Sequence, residues 1–371
     1  MKKRLLAMLM AGAMALSVTA CGGNTSGETS DASGGEQAAE GSAKIGVSMP
    51  TQSLQRWNQD GTNMKEQLEA AGYTVDLQYA GDNDIPTQVS QIENMISSGC
   101  DVLVIAAIDG SALSEALKGA KDNDIPVISY DRLIMNSDAV SYYATFDNYK
   151  VGTMQGEYIR DALDLDNAAG PFNIELVTGA PDDNNVNFFF GGAMDVLQPY
   201  IDEGKLVVQS GQTEKAQCAT ANWSTEEAQK RFENIITSVG YGPNGVKLDA
   251  VLCSNDSTSY GVQNALLAAG YTADNMPVIT GQDCDKPNVK NIIAGIQSMS
   301  IFKDTRDLAD ATVKMVDAIV KGTEPEINDT ETYDNGTGII PSYLCDPVFA
   351  DKDNYKELLI DSGYYTEADL A

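Results

Sequence analysis

The chain has 371 residues, enough for two domains of ordinary size, and carries 54 acidic against 24 basic side chains for a net charge of −30. So acidic a protein repels phosphate backbones, anionic lipid and acidic substrates, which excludes nucleic acid as a partner. It contains no histidine, so Ser-His-Asp and Cys-His catalysis and every histidine-ligated zinc site are excluded as well.

The first residues read as an export signal: a basic head at Met1-Lys2-Lys3-Arg4, an apolar run from Leu5 to Val18, then small residues. The run is too short to span a bilayer. Val18-Thr19-Ala20-Cys21 resembles the bacterial lipobox, in which Cys21 becomes the lipidated first residue of the mature protein and anchors it to the outer face of the cell membrane. Ordinary secretion, with Cys21 left inside the signal, is the alternative. From Gly22 to Ala43 there is no aromatic and, before Lys44, no basic residue. That segment cannot bury a core and is expected to be a flexible acidic tether.

After the tether, strand and helix patterns alternate. Strands are predicted at Ile45–Met49, Thr74–Tyr79, Leu103–Ile108 and Val127–Tyr130. Helices are predicted over Trp57–Ala71, Pro86–Ser98 and Ser111–Asn123. A second set starts after Asp147-Asn148. Its helices are Val151–Leu163, Asn187–Tyr200, Thr225–Ser238, Tyr260–Ala269 and Val289–Ala294, and its strands are Phe172–Val177, Leu206–Gln209, Ala250–Cys253, Val278–Thr280 and Ser298–Phe302. A long helix, Thr305–Lys321, and a mixed tail from Thr332 follow. Strict alternation means doubly wound parallel sheets covered on both faces, in two domains with a crevice between them.

The strands share one ending. Val127-Ile128-Ser129-Tyr130 stops at Asp131-Arg132, and others stop at Thr51-Gln52, Asp109, Asp182 to Asn185, Asn255-Asp256 and Gln282-Asp283. In open α/β sheets the carboxyl ends of strands line the ligand crevice, so these are polar fingers converging on one site. A sugar presents hydroxyls that donate and accept, separated by apolar C–H faces. It calls for planar, multivalent partners such as Asp, Asn, Arg and Gln, with aromatic walls. Trp57, Trp223 and Phe188–Phe190 are candidates for the walls, although such side chains also serve as core. Asp182-Asp183 could be a catalytic carboxylate pair, but the adjacent Asn184 and Asn185 favour hydrogen bonding over proton transfer. Gly240-Tyr241-Gly242-Pro243-Asn244-Gly245 fits GxGxxG literally, yet follows a helix and leads to a strand, the wrong context for a nucleotide loop. Cys100, Cys218, Cys253, Cys284 and Cys345 are too widely spaced for a disulfide framework. Cys253 and Cys284 lie near strand ends, and whether they pair is open.

These residues together resemble the substrate-binding proteins of bacterial sugar ABC importers, of the multiple-sugar and D-xylose type. The resemblance runs from about Lys44 to Leu370. It is carried by Gln55-Arg56-Trp57, Tyr130-Asp131-Arg132-Leu133-Ile134, Ala144-Thr145-Phe146-Asp147-Asn148, Pro181-Asp182-Asp183-Asn184-Asn185, Ser254-Asn255-Asp256, Gly281-Gln282-Asp283 and Ile301-Phe302-Lys303. It implies an α/β, two-lobed periplasmic-binding-protein fold of type I. The signal and lipobox take 1–21 and the tether 22–43; one lobe takes 44–146 plus 303–330, the other 147–302 plus 331–371. Three hinge crossings are implied near Thr145–Asn148, Ser300–Lys303 and Asp329–Thr332. It also implies sugar contacts at Arg56, Asp131 and Arg132 on the first lobe, Asp183, Asn185, Trp223, Asn255 and Asp283 on the second, and Lys303 at the hinge. The expected ligand is a monosaccharide of the xylose, glucose, galactose or arabinose type, delivered by a monomer to an ABC permease. No enzymatic activity, cofactor or metal is expected. The alternatives are a sugar-sensing subunit for a membrane receptor and a secreted glycosidase using Asp182 or Asp183.

Overall fold

The protein is represented by a computed structural model that describes residues Ser42–Ala371. The signal, Cys21 and all but the end of the tether lie outside the described residues. The first set of elements is β1 (Lys44–Met49), α1 (Gln55–Ala70), β2 (Thr74–Tyr79), α2 (Ile85–Ser97), β3 (Val102–Ile105), α3 (Lys118–Asp122), β4 (Val127–Tyr130) and β5 (Val140–Phe146). The second is α4 (Asn148–Ala162), β6 (Phe172–Val177), α5 (Asn185–Asp202), β7 (Leu206–Val207), α6 (Lys215–Cys218), α7 (Thr225–Val239), β8 (Ala250–Cys253), α8 (Asp256–Ala268), β9 (Val278–Ile279), α9 (Lys286–Ala294) and β10 (Met299–Phe302). Then come α10 (Thr305–Val320), β11 (Ser342–Cys345), β12 (Val348–Asp351) and α11 (Glu367–Leu370).

Two parallel sheets result, as the alternation requires. The first has six strands in the order β11-β5-β4-β3-β1-β2, and the second has four in the order β7-β6-β8-β9. Each is buried on both faces, and the period of two along a strand divides its side chains between the layers. In β3, Val102 and Val104 pack with Met64 and Leu68 of α1 and with Leu308 and Met315 of α10. Leu103 and Ile105 face the other way, onto Ile92 and Met95 of α2. In β8 the same alternation sends Val251 and Cys253 to α7 and α8, and Ala250 and Leu252 to α4 and α5. Helices α4 and α5 cross with almost no gap: a Cβ on Gly152 would lie 2.0 Å from the Phe189 carbonyl oxygen.

Several expectations are corrected. The helix predicted over Ser111–Asn123 survives only as α3. Upstream, the Asp109 side chain accepts from Ser111 N at 2.7 Å, a local bond that holds the chain in turns. The strand predicted at Leu103–Ile108 stops at Ile105, and the predicted Leu206–Gln209 stops at Val207. β5 was not among the predicted strands. The tail differs most. β11 pairs in parallel with β5, so residues up to Cys345 belong with the first sheet rather than with the lobe expected to hold 331–371. Tyr333 and Ile340 pack in that sheet's core. β12 alone pairs with β10, antiparallel, so the third passage between lobes falls between Cys345 and Val348 rather than at Asp329–Thr332. It lies beside the first passage, where Asp147 N donates to the Cys345 carbonyl at 3.0 Å. Cys253, Cys284 and the other described cysteines are free and buried.

The α4/α5 crossing yields a prediction. Gly152→Ala should lower unfolding free energy by about 1–3 kcal/mol, as overpacking does, since its methyl meets backbone that cannot turn aside. Urea denaturation measures this, and an unchanged midpoint would refute the close crossing.

Candidate functional site

Every residue singled out as a sugar contact lines one cavity between the two sheets' carboxyl edges. Arg56, Asp131, Arg132, Asp183, Asn185, Trp223, Asn255, Asp283 and Lys303 all border it, joined by Leu54, Trp57, Phe189, Ser257, Gln282 and Asp285. About 430 Å³ of atom-free space lies among these residues, open solvent at its mouth included.

Arg56 projects from the first turn of α1. Its Nε donates to Asp60 Oδ2 at 2.8 Å, Nη2 lies 2.7 Å from Asp131 Oδ2, and Nη1 lies 3.4 Å from Asp283 Oδ1. Asp60, one helical turn on, is fully buried and receives the Tyr130 hydroxyl at 2.5 Å. Lys303, which follows β10, completes the ring at 3.0 Å from Asp283 and 4.0 Å from Asp131. Burial pushes the Asp131 carboxyl up, but Arg56, Lys303 and Arg132 together outweigh that and hold it below the usual range. The 2.7 Å contact between Arg56 Nη2 and Asp131 Oδ2 is a buried ion pair.

Asp131 follows β4 with φ of 58°. Its carbonyl is gripped by Asn185 Nδ2 at 2.7 Å, the Tyr143 hydroxyl at 2.6 Å and Thr145 Oγ1 at 2.9 Å. Asn185 is therefore a strut between lobes as well as a wall of the cavity. Arg132 crosses the same gap: its Nε lies 3.1 Å from Asp183 Oδ2, while Nη1 donates to the carbonyls of Ala107 and Ile108 at 3.1 and 3.3 Å. Two guanidiniums lie over the Trp57 ring, that of Arg56 4.8 Å and that of Arg132 5.0 Å from its centre.

On the second lobe, the Trp223 indole N–H donates to Asp183 Oδ2 at 3.2 Å, and its ring meets Phe189 edge-on at 6.2 Å. The indole lies directly on Gly179, where a Cβ would come 2.1 Å from the ring. Burial raises the Asp183 carboxyl above its ordinary range despite Arg132. Asn255 caps α8, accepting from Thr258 N at 3.0 Å, and its amide donates to Ser257 Oγ at 2.8 Å. Asp131, Trp223 and Asp283 all have positive φ, a backbone region that side chains seldom occupy and that clusters at functional sites.

Asp182 and Asp183 part company. Asp183 lines the cavity, whereas Asp182 lines a neighbouring groove with Thr51, Asp82 and Glu226. Of the three consecutive phenylalanines only Phe189 reaches the site; Phe188 packs on Tyr333, and Phe190 packs against the core of the second sheet.

Residues 45–324 match the periplasmic binding protein domain. The chain is 53% identical over 323 residues to the multiple sugar-binding periplasmic receptor ChvE of Rhizobium radiobacter, covering 86% of this chain and 90% of that protein. The chain belongs to the periplasmic binding protein family. This periplasmic binding protein is also 37% identical over 327 residues to the D-xylose-binding periplasmic protein of Escherichia coli, covering 88% of this chain and 92% of that one. An ABC transporter solute-binding protein from Clostridium phytofermentans, crystallised with bound β-D-glucose, matches it at 66% identity and a TM-score of 0.86, covering 88% of this chain and 100% of that chain.

Sequence reasoning missed two acids of this binding protein's site, Asp60 buried behind Arg56 and Asp285 on the cavity wall. Asp60 was detectable in principle, because i and i+4 positions on a helix meet and Arg56 needs a partner. Asp285 left no signal beyond its nearness to Asp283. Burial first, then the Asp283 charge, pushes the Asp285 carboxyl up to about 7, against Arg56 and Lys303. Asp256, buried beside it and accepting from Asp285 N at 2.8 Å, is held well above its usual range by burial and by Asp285. A carboxyl that holds its proton more tightly when folded stabilises the fold below its unfolded pKa and loses that contribution as pH rises through the folded value. The contribution of these carboxyls to ligand-free stability should therefore fall as pH rises from about 4, that of Asp285 being lost through about pH 7. Asp285→Asn should flatten that decline in thermal midpoints, and parallel profiles for variant and wild type would contradict it.

Proposed function

We propose that this periplasmic binding protein captures a monosaccharide aldose, of the glucose, xylose, galactose or arabinose type, between its lobes and delivers it to an ABC importer. It is a receptor and not an enzyme. The observation that carries this reading is one cavity where planar donors and acceptors from both lobes meet beside Trp57, Trp223 and Phe189. Arg56, Asp131, Arg132, Asp183, Asn185, Asn255, Asp283 and Lys303 serve as hydrogen-bonding partners of the hydroxyls, and Trp223 and Trp57 as walls for the C–H faces. The sugars named for the multiple-sugar receptor, the xylose-binding protein and the glucose-bound structure support that ligand class.

The mechanism is closure. Arg56 with Asp283, and Arg132 with Asp183, already pair across the gap, and a sugar touching both lobes adds to them. It favours the shut state only by its greater affinity for that state. The shut form then docks on the membrane permease. The lipobox at Cys21 supports a lipid anchor and an extracytoplasmic site of action, with the acidic segment as the leash.

A thermal-shift panel of aldoses is the direct test, since a ligand at a hundredfold its dissociation constant adds about 2.7 kcal/mol. A protein that no aldose stabilises would refute the reading. Asp131→Ala and Asp283→Ala should each weaken binding by more than about tenfold in calorimetry, through hydroxyls and buried partners left unpaired. Unchanged affinity in both would sink the site assignment. Cys21→Ser should move the protein from the membrane fraction to the soluble one, and retention at the membrane would argue against the lipid anchor.

A further inference from the structure

The sugar cavity has a neighbour. Leu54, Trp57, Arg132 and Trp223 border both that cavity and the groove beside it, which Thr51, Asp82, Asp182 and Asn222 also line. Three of the shared residues are pinned by charge or hydrogen bonds. Arg132 is tied to Asp183 and to two carbonyls, Trp223 donates to Asp183, and Trp57 is in contact with two guanidiniums. The Leu54 side chain is half-buried and has only apolar contacts to hold it. It packs against the first lobe's core, which includes Trp57, and also against the second lobe's cluster of Val151, Val186, Phe189, Trp223 and Ile301.

The backbone that carries this side chain is fixed. The Thr51 and Ser53 hydroxyls both donate to Asp82 Oδ1, and the Asn58 amide donates to the Gln52 and Leu54 carbonyls at 2.7 and 3.2 Å. The residue type is also a poor one for its local position. Leu54 stands at the N-cap of α1 and makes no capping bond, where Ser, Thr, Asp or Asn would stabilise the helix and leucine does not. Local rules tend to be broken where a site needs something else. What this position gains is an apolar bridge between the lobes, set between cavity and groove.

We infer that Leu54 is a specificity-determining seal, which shuts the cavity off from the groove and limits the guest to a single sugar ring. The inference rests on the aldose reading above. A sugar that carries a second ring on the groove side cannot be enclosed unless Leu54 leaves its contacts with the second lobe, so it is rejected as the lobes shut.

The test is calorimetry of D-glucose with maltose, cellobiose and isomaltose, and of D-xylose with xylobiose, on wild type, Leu54→Ala, Leu54→Ser and Leu54→Met. Wild type should bind each parent aldose about a hundredfold or more tightly than its disaccharides. For at least one linkage the alanine and serine variants should narrow that gap by about tenfold or more. Leu54→Met, which keeps the volume, should retain the wild-type gap. Serine suits an N-cap, so that variant serves if the alanine one does not fold. Parent and disaccharide weakened alike would make Leu54 merely structural and overturn the inference. So would a gap that neither small variant changes, or a wild type that already holds a disaccharide as tightly as its parent. A wild type that binds none of these sugars would overturn the aldose reading and this inference with it, and that outcome is distinct because no variant plays a part in it.

Discussion

The cleft depends on a buried ring of opposite charges shared by two lobes. Arg56 reaches Asp60, Asp131 and Asp283, and Lys303 reaches Asp283 and Asp131, all with side chains at most 9% exposed. Such charges are costly to desolvate and tolerable only because each has a partner; removing one leaves its neighbour uncompensated. Their value lies in register. Arg56 belongs to one lobe and Asp283 to the other, so the lobes meet in the alignment that satisfies both. The ring also sets the electrostatics of the ligand site: with every cation engaged by a carboxylate, the cavity is best suited to a neutral guest rich in hydroxyls.

Backbone geometry holds that ring in place. Asp131 leaves β4 in a left-handed conformation, which turns its carboxylate toward Arg56 while three side chains grip its carbonyl. Trp223 and Asp283 adopt comparable conformations on the other lobe. Each such residue costs on the order of 1–3 kcal/mol, sustained by the packing around it. Two of the three, Asp131 and Asp283, stand where strands end at the cleft, and Trp223 closes a short helical turn beside it.

Much of this was legible in the sequence because parallel strands leave a plain trace. A short β-branched run ended by Asp, Asn or Gln marks a buried strand and the edge it points to, and such endings at Asp131, Asn255 and Asp283 do line one cavity. Less legible was anything set by tertiary pairing. β5 and β11 lie side by side in one sheet although some two hundred residues separate them in sequence, and no local pattern announces that partnership. The helix expected from Ser111 failed because one aspartate side chain competed successfully for the backbone. Asp285 was hidden for another reason: its place on the cavity wall follows from how the loop after β9 packs, which no local pattern announces.

The protein has just two tryptophans, and both border the ligand cavity, Trp57 from the first lobe and Trp223 from the second. One is in contact with two guanidiniums and the other donates to a buried carboxylate. Light emitted by indole in this molecule therefore originates wholly at the cleft, with no background from elsewhere in the chain. The fold carries its own optical probe of occupancy, with one chromophore on each side of the gap.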